Sequence, residues 1–186
     1  MGLIMILEKQ EFKVHGLNYI VRSAIDKDAR ELSELRLQID GETENLDRVR
    51  GEGIIDPAGF EHIIKADTEN SKNLFLVAVV GDRVVGFSRC EGNHLSRYIH
   101  KAEFGVCVIK DFWGYHIEKN LLKETISWAD STGLTKMSLN VLETNHKAIQ
   151  LYQSLGFEVE GLLKNDKILS DGKYYNTIVM GRFTDV

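Results

Sequence analysis

Two runs rich in β-branched and aromatic residues, "LFLVAVV" (74–80) and "RVVGFSRCEG" (83–92), are separated only by Gly81 and Asp82. So short a connection closes an antiparallel hairpin and nothing else, because parallel strands need a crossover of a dozen or more residues. A polar loop, "NHLSR", leads to a third run, "YIHKAEFGVCVI" (98–109), read as a third antiparallel strand. Then the direction changes. Residues 114–131 carry Ile117, Leu121, Leu122, Thr125 and Trp128 on one helical stripe, and the short strand "KMSLNV" follows. A helix of that length forms a right-handed crossover and sets the strands 98–109 and 135–141 parallel. One hairpin and one crossover thus specify a sheet of mixed direction.

The flanks extend that sheet. "FKVHGLNYIVRSA" reads as a hairpin about His15-Gly16, and Ala29, Leu32, Leu35 and Ile39 have helical spacing after Asp26, the expected cap. The polar stretch 40–55 is a loop or a short second helix. Asp56-Pro57 then supplies a cap and first residue for the helix "AGFEHIIKA". Near the end, "NHKAIQLYQSLGF" is a helix stopped by Gly156, and a last hairpin turns at Ser170-Asp171-Gly172. The expected class is α+β: a mixed, mostly antiparallel central sheet flanked by helices, with residues 1–186 as a single domain.

Composition narrows the function classes. A net charge of −5 argues against nucleic acid as the main ligand, since phosphate backbones select basic surfaces. No apolar run approaches the ~18–20 residues of a membrane span, and "MGLIMILEKQ" lacks the basic leader and cleavage site of a signal peptide. Two cysteines, Cys90 and Cys107, form no disulfide framework and fit a reducing, cytoplasmic setting. Six histidines without paired ligand spacing give no expectation of a metal site.

The chemistry is carried by "NVLETNHKAIQLYQSLGFEVEG". Asn145 and Tyr152 lie seven residues apart, within about 20° of each other on a helix, so both can line one groove. A phenol stays protonated at neutral pH and can donate to a leaving thiolate. The same residues also allow a plain structural reading, in which Asn145 caps the helix and Tyr152 packs. Asn145, Ala148, Leu151-Tyr152, Gly156-Phe157 and Glu160-Gly161 stand where the GNAT superfamily of N-acetyltransferases commonly shows these residues, and the order of elements is similar over nearly the whole chain. The resemblance implies acetyl-CoA as cosubstrate and direct attack by an amine in a ternary complex. Tyr152 would then be the general acid that protonates the departing sulfur.

Further expectations follow from the resemblance. The family joins a strand to a helix by a Gln/Arg-x-x-Gly-x-Gly/Ala turn whose backbone N–H groups bind the CoA diphosphate at a helix start. Here that turn is Trp113, Gly114, Tyr115, His116, Ile117 and Glu118, with Trp113, His116 and Glu118 departing from the signature. Glu118 is expected to point away along the helix or to pair with Lys119 or Lys123. Backbone groups of Val106 and Val108 would meet pantetheine, and Glu103 is the best general base on offer. A small-molecule amine and a protein or peptide amine are both open as acceptor, as is a homodimer through the C-terminal edge strand. The segment 44–56, "ENLDRVRGEGIID", occupies the place where the family often builds its acceptor pocket. The competing reading is a GNAT-shaped CoA-binding or regulatory module without turnover.

Overall fold

The computed structural model describes residues 6–184; the apolar cluster that opens the chain, 1–5, lies outside them. Strands β1 (Gln10–Val14) and β2 (Leu17–Ser23) turn back on each other at His15-Gly16, as the sequence predicts. Helix α1 (Ala29–Glu42) buries Ala29, Leu32, Leu35 and Ile39, the predicted stripe. Its first flanking residue is Asp28 rather than Asp26, because a 3-10 turn over Asp26–Asp28 precedes it. The Asp28 carboxylate accepts from both Arg22 nitrogens, at 2.7 and 2.8 Å, and from the Ile25 N–H at 2.8 Å. That acid clamps the helix entry to β2.

Helix α2 (Pro57–Glu69) starts as its sequence dictates: Asp56 accepts from the Gly59 N–H at 2.8 Å, and Pro57 occupies a position that needs no N–H. Between the two helices, residues 43–56 form turns and no second helix. Side chains of α1 hold this segment, Ser33 donating to the Ile55 carbonyl at 2.7 Å and Arg36 to that of Gly53.

The remaining elements are β3 (Leu74–Val80), β4 (Arg83–Gly92), β5 (Lys101–Val108), α3 (Ile117–Ser131), β6 (Lys136–Leu142), α4 (His146–Ser154), β7 (Glu158–Ile168) and β8 (Tyr174–Phe183). They complete an eight-stranded sheet in the order β1-β2-β3-β4-β5-β6-β8-β7. Its neighbours are antiparallel except β5 and β6, which are parallel as the crossover requires. Two boundaries differ from expectation. Residues 98–100 are a turn rather than strand, closed by the Lys101 N–H on the Tyr98 carbonyl at 3.0 Å. Helix α3 begins at Ile117 rather than 114, since Gly114 and His116 have φ of 88° and 58°, outside the helical region.

Strand β3 sits near the centre and is buried on both sides. On one face Phe60 of α2 meets Phe75 and Phe87, with ring centroids 6.4 and 6.3 Å away. Ser88 and Cys90 of β4, pointing the other way, are buried too, where α3 packs on β3, β4 and β5. The fully buried Trp128 and Leu121 of α3 anchor that layer. This packing fixes the start of α3 beside the end of β5, where the candidate site lies.

Candidate active site

Strands β5 and β6 pair only over Lys101–Glu103 and Lys136–Ser138. Beyond that point each keeps its outer neighbour: β5 follows β4 to Val108, and β6 follows β8 to Leu142. The sheet therefore splits between them. Peptide direction shows what faces the split. The His100 carbonyl accepts from the Thr135 and Lys136 N–H groups on the β6 side, whereas the Ile109 N–H turns to Val85 on β4. Alternation along the strand then aims the peptide groups of Phe104, Val106 and Val108 into the wedge. One of them is not free. Trp113 Nε1 donates to the Val108 carbonyl at 2.8 Å, so the Val106 peptide and the Val108 N–H are what remain facing the wedge.

The loop after β5 closes the wide end of the wedge. His116 stands in the left-handed region directly before α3, which explains why a glycine suits that place and why a histidine there is strained by roughly 1 kcal/mol. Its ring lies edge-on to His15 of the β1–β2 turn, centroids 5.6 Å apart. Tyr19 of β2 donates to the Tyr115 carbonyl at 3.1 Å and accepts from Asn120 Nδ2 at 2.6 Å, tying the loop to the hairpin. The first N–H bonded back within α3 is that of Asn120, to His116, so the amides of Ile117, Glu118 and Lys119 are the open donors of the helix start. If the backbone is what binds, His116→Gly raises stability by about 1 kcal/mol in denaturant unfolding and leaves ligand affinity unchanged. A large loss of affinity would instead give the imidazole the binding role.

Opposite the loop stands α4. Asn145 caps it, accepting from the Ala148 N–H at 3.4 Å, and Tyr152 follows two turns later, its ring 6.0 Å from that of Phe157. Tyr152 is 7% exposed, and its hydroxyl donates to Glu118 Oε1 at 2.9 Å. Glu118 thus neither points away along the helix nor pairs with Lys119 or Lys123. It bridges α3 to α4, and both side chains line one groove. Burial raises the Glu118 carboxyl above its usual range, partly offset by the phenol's hydrogen bond. Burial also pushes Tyr152 well above the usual phenol range, and the neighbouring carboxylate pushes it further.

A groove of about 1460 Å³ runs through the split. Every residue expected at the site lines it except Tyr115, whose ring packs toward Phe112 while its carbonyl serves the tie to Tyr19. The model of the acetyltransferase (GNAT) family matches residues 42–157, more than half of the chain. The chain belongs to the GNAT family.

Among curated GNAT relatives, the L-amino acid N-acetyltransferase AaaT of Escherichia coli K12 is 32% identical over 108 residues, 58% of this chain and 66% of that protein. The spermidine N(1)-acetyltransferase of the same strain is 30% identical over 113 residues, 60% of this chain and 59% of its own length. The chain thus spans less than two thirds of each. The solved structure of yncA from Salmonella typhimurium, with acetyl-CoA as its cofactor, aligns with a TM-score of 0.79 at 20% identity, covering 90% of this chain and 94% of that one. The GNAT fold is shared.

The three departures from the GNAT signature each have a local partner: Trp113 on the Val108 carbonyl, His116 against His15, Glu118 on Tyr152. On the opposite wall, Glu103 is exposed and faces Glu91 directly across the β4–β5 ladder. Glu91 is paired with Arg89 at 3.0 Å. The segment after α1 contributes Asn45, Asp47 and Arg48; Asp47 pairs with Lys167 of β7, and Arg48 with Asp40 at 3.3 Å. Sequence reading named the segment but none of these pairs, nor the Tyr19–Asn120 tie, because no local spacing signals them. Burial raises the Cys90 thiol to about 12 and the Cys107 thiol further, so neither is a nucleophile at neutral pH. Among the described residues no group of three or more His, Cys, Asp or Glu is placed to hold a metal ion, and no helix is long and apolar enough to cross a membrane.

Proposed function

We propose that this protein, acting as one acetyltransferase domain, transfers an acetyl group from acetyl-CoA to a primary amine by direct attack in a ternary complex. The observation that carries this reading is the parting of β5 from β6 beyond Glu103, with Tyr152 lining the same groove. The thioester arm lies in the wedge against Val106 and Val108. The diphosphate sits on the amides of the 113–118 loop, where unpaired donors and the helix dipole favour an anion. Backbone donors of β5 polarise the thioester carbonyl, and Tyr152 delivers a proton to the sulfur. Glu103, exposed on the acceptor wall, takes the proton released by the amine.

The acceptor is an amine small enough for the groove, in line with the amino acid and spermidine named for the two relatives. The carboxylates Glu91 and Glu103 give that wall an attraction for an ammonium group. Two unpaired cysteines support a cytoplasmic setting. The edge strand β7 leaves Val159, Leu162 and Ile168 about half exposed or more, and a second copy pairing there is part of this reading.

A thermal-shift titration tests the cofactor claim. Acetyl-CoA at 100 times its Kd adds about 2.7 kcal/mol, and the unfolding midpoint rises accordingly. No shift at millimolar ligand overturns it. One observation favours the second reading, a CoA-binding module without turnover: the Tyr152 hydroxyl is turned to Glu118, as hydrogen-bond donor, rather than into the wedge. Release of free CoA thiol in the presence of an amine panel decides between the two.

A further inference from the structure

Glu118 and Tyr152 are 34 positions apart in the chain and meet across the groove. If Tyr152 lost its proton while Glu118 was ionised, a phenolate would stand within hydrogen-bond distance of a carboxylate in a part-buried site. Two like charges so placed do not coexist, as in any pair of acids sharing one site. Tyr152 can act as an acid only when Glu118 carries a proton that it can pass on.

We propose that Glu118 is the proton store behind Tyr152, so that sulfur protonation runs as a two-step relay from carboxyl to phenol to thiolate. The proposal rests on the acetyltransferase reading above and goes beyond it. The amine nitrogen bonds to the acetyl carbon, and the C–S bond breaks with its electron pair left on sulfur. Sulfur takes the phenolic proton, and the phenol oxygen takes the proton of the Glu118 carboxyl. The reaction ends with neutral Tyr152 and a single negative charge on the carboxylate, the group better able to bear it. The amine gives up one proton to the acceptor wall or to water, and solvent returns one to Glu118.

Neither side chain of the pair has a second hydrogen-bond partner among the described residues. His116 and Lys119 line the groove from the start of α3, Lys147 from α4 and Cys107 from β5, while Arg48 is engaged by Asp40. Glu118 is the charge that acts on Tyr152, and burial keeps the Cys107 thiol protonated. A glycine or alanine at position 118, as the family usually has, offers the tyrosine no such partner. The Glu118 side chain therefore has a positioning role: it acts through Tyr152, apart from the backbone amide of the same residue, which belongs to the helix start.

The experiment is the pH profile of kcat with acetyl-CoA and amine both saturating, followed as thiol release for the wild type and Glu118→Gln. Ionisation of Glu118 removes the competent state. Wild-type kcat thus falls about tenfold per pH unit above the Glu118 pKa, which burial sets above the ordinary carboxylate range. Glu118→Gln cannot ionise and loses that limb. Superimposable profiles, or a wild-type profile with no alkaline fall, overturn the relay while leaving the acetyltransferase reading intact. No thiol release at any pH overturns that reading and the relay with it. A readout without cofactor accompanies the kinetics: phenolate absorbance, taken as a difference against Tyr152→Phe, shows Tyr152 ionising at lower pH in Glu118→Gln. An unchanged titration, with both proteins folded, also overturns the coupling.

Discussion

Tyr152→Phe lowers kcat by roughly 10²- to 10⁴-fold, the range of a lost general acid, and changes acetyl-CoA affinity little. The substitution removes one oxygen and keeps the ring, which packs at 6.0 Å from that of Phe157 just after α4. The backbone donors proposed for the diphosphate and pantetheine lie on the loop and on β5 and are untouched. Departure of the thiolate without a proton raises the barrier for collapse of the tetrahedral intermediate, an effect confined to the chemical step. Glu118 loses its hydrogen-bond donor in this variant, so its carboxyl is still harder to ionise, which costs nothing in the protonated form. Steady-state kinetics and calorimetric titration check both halves. A variant with wild-type kcat excludes Tyr152 as the acid, whatever the cofactor affinity.

Arg89→Ala unfolds the protein at much lower temperature. Asp67 of α2 is 2% exposed, and its carboxylate is held by Arg89 through Nε and Nη2 and by Asn73 Nδ2 at 2.7 Å. Asn73 in turn accepts from the Gly92 N–H at 3.0 Å, so the network joins α2, the start of β3 and the end of β4. Removing one partner of a buried pair leaves an uncompensated charge and costs about 3–5 kcal/mol, roughly 10 °C for a chain of this size. Replacing Asp67 by asparagine in the same variant restores part of the loss, because no ion then remains to be buried. Thermal unfolding of the single and double variants reads this directly. A midpoint within about 2 °C of wild type for Arg89→Ala would show that water reaches Asp67 freely. Loss of Arg89 also releases Glu91 from its ion pair and leaves the acceptor wall more negative, so amine KM falls in whatever protein remains folded.

Much of the fold was legible because its signals are local. Gly81-Asp82 closes β3 on β4, Asp56-Pro57 opens α2, and Gly156, with φ of 89°, stops α4, each by the chemistry of neighbouring residues. The stripe from Ile117 to Trp128 gave the crossover helix, and the crossover gave the parallel pair. Boundaries failed where backbone conformation overrode pattern: a left-handed His116 delays α3, and a 3-10 turn moves the entry of α1 to Asp28.

The candidate site was legible as a set of residues and not as an arrangement. Asn145 and Tyr152 could be placed on one groove because a helix fixes their angle. The orientation of Glu118 could not be read, since its near neighbours Lys119 and Lys123 look like equal partners in the sequence, and Tyr152 comes within reach only once α3 and α4 are packed. The Val108 carbonyl looked open until Trp113 folded back on it. By itself the sequence determined the elements, their order and the residue types gathered at the groove, because periodicity and turn chemistry act over a few positions. Only the tertiary structure decided where β5 leaves β6 and which acid meets which phenol, because those depend on how distant segments cross.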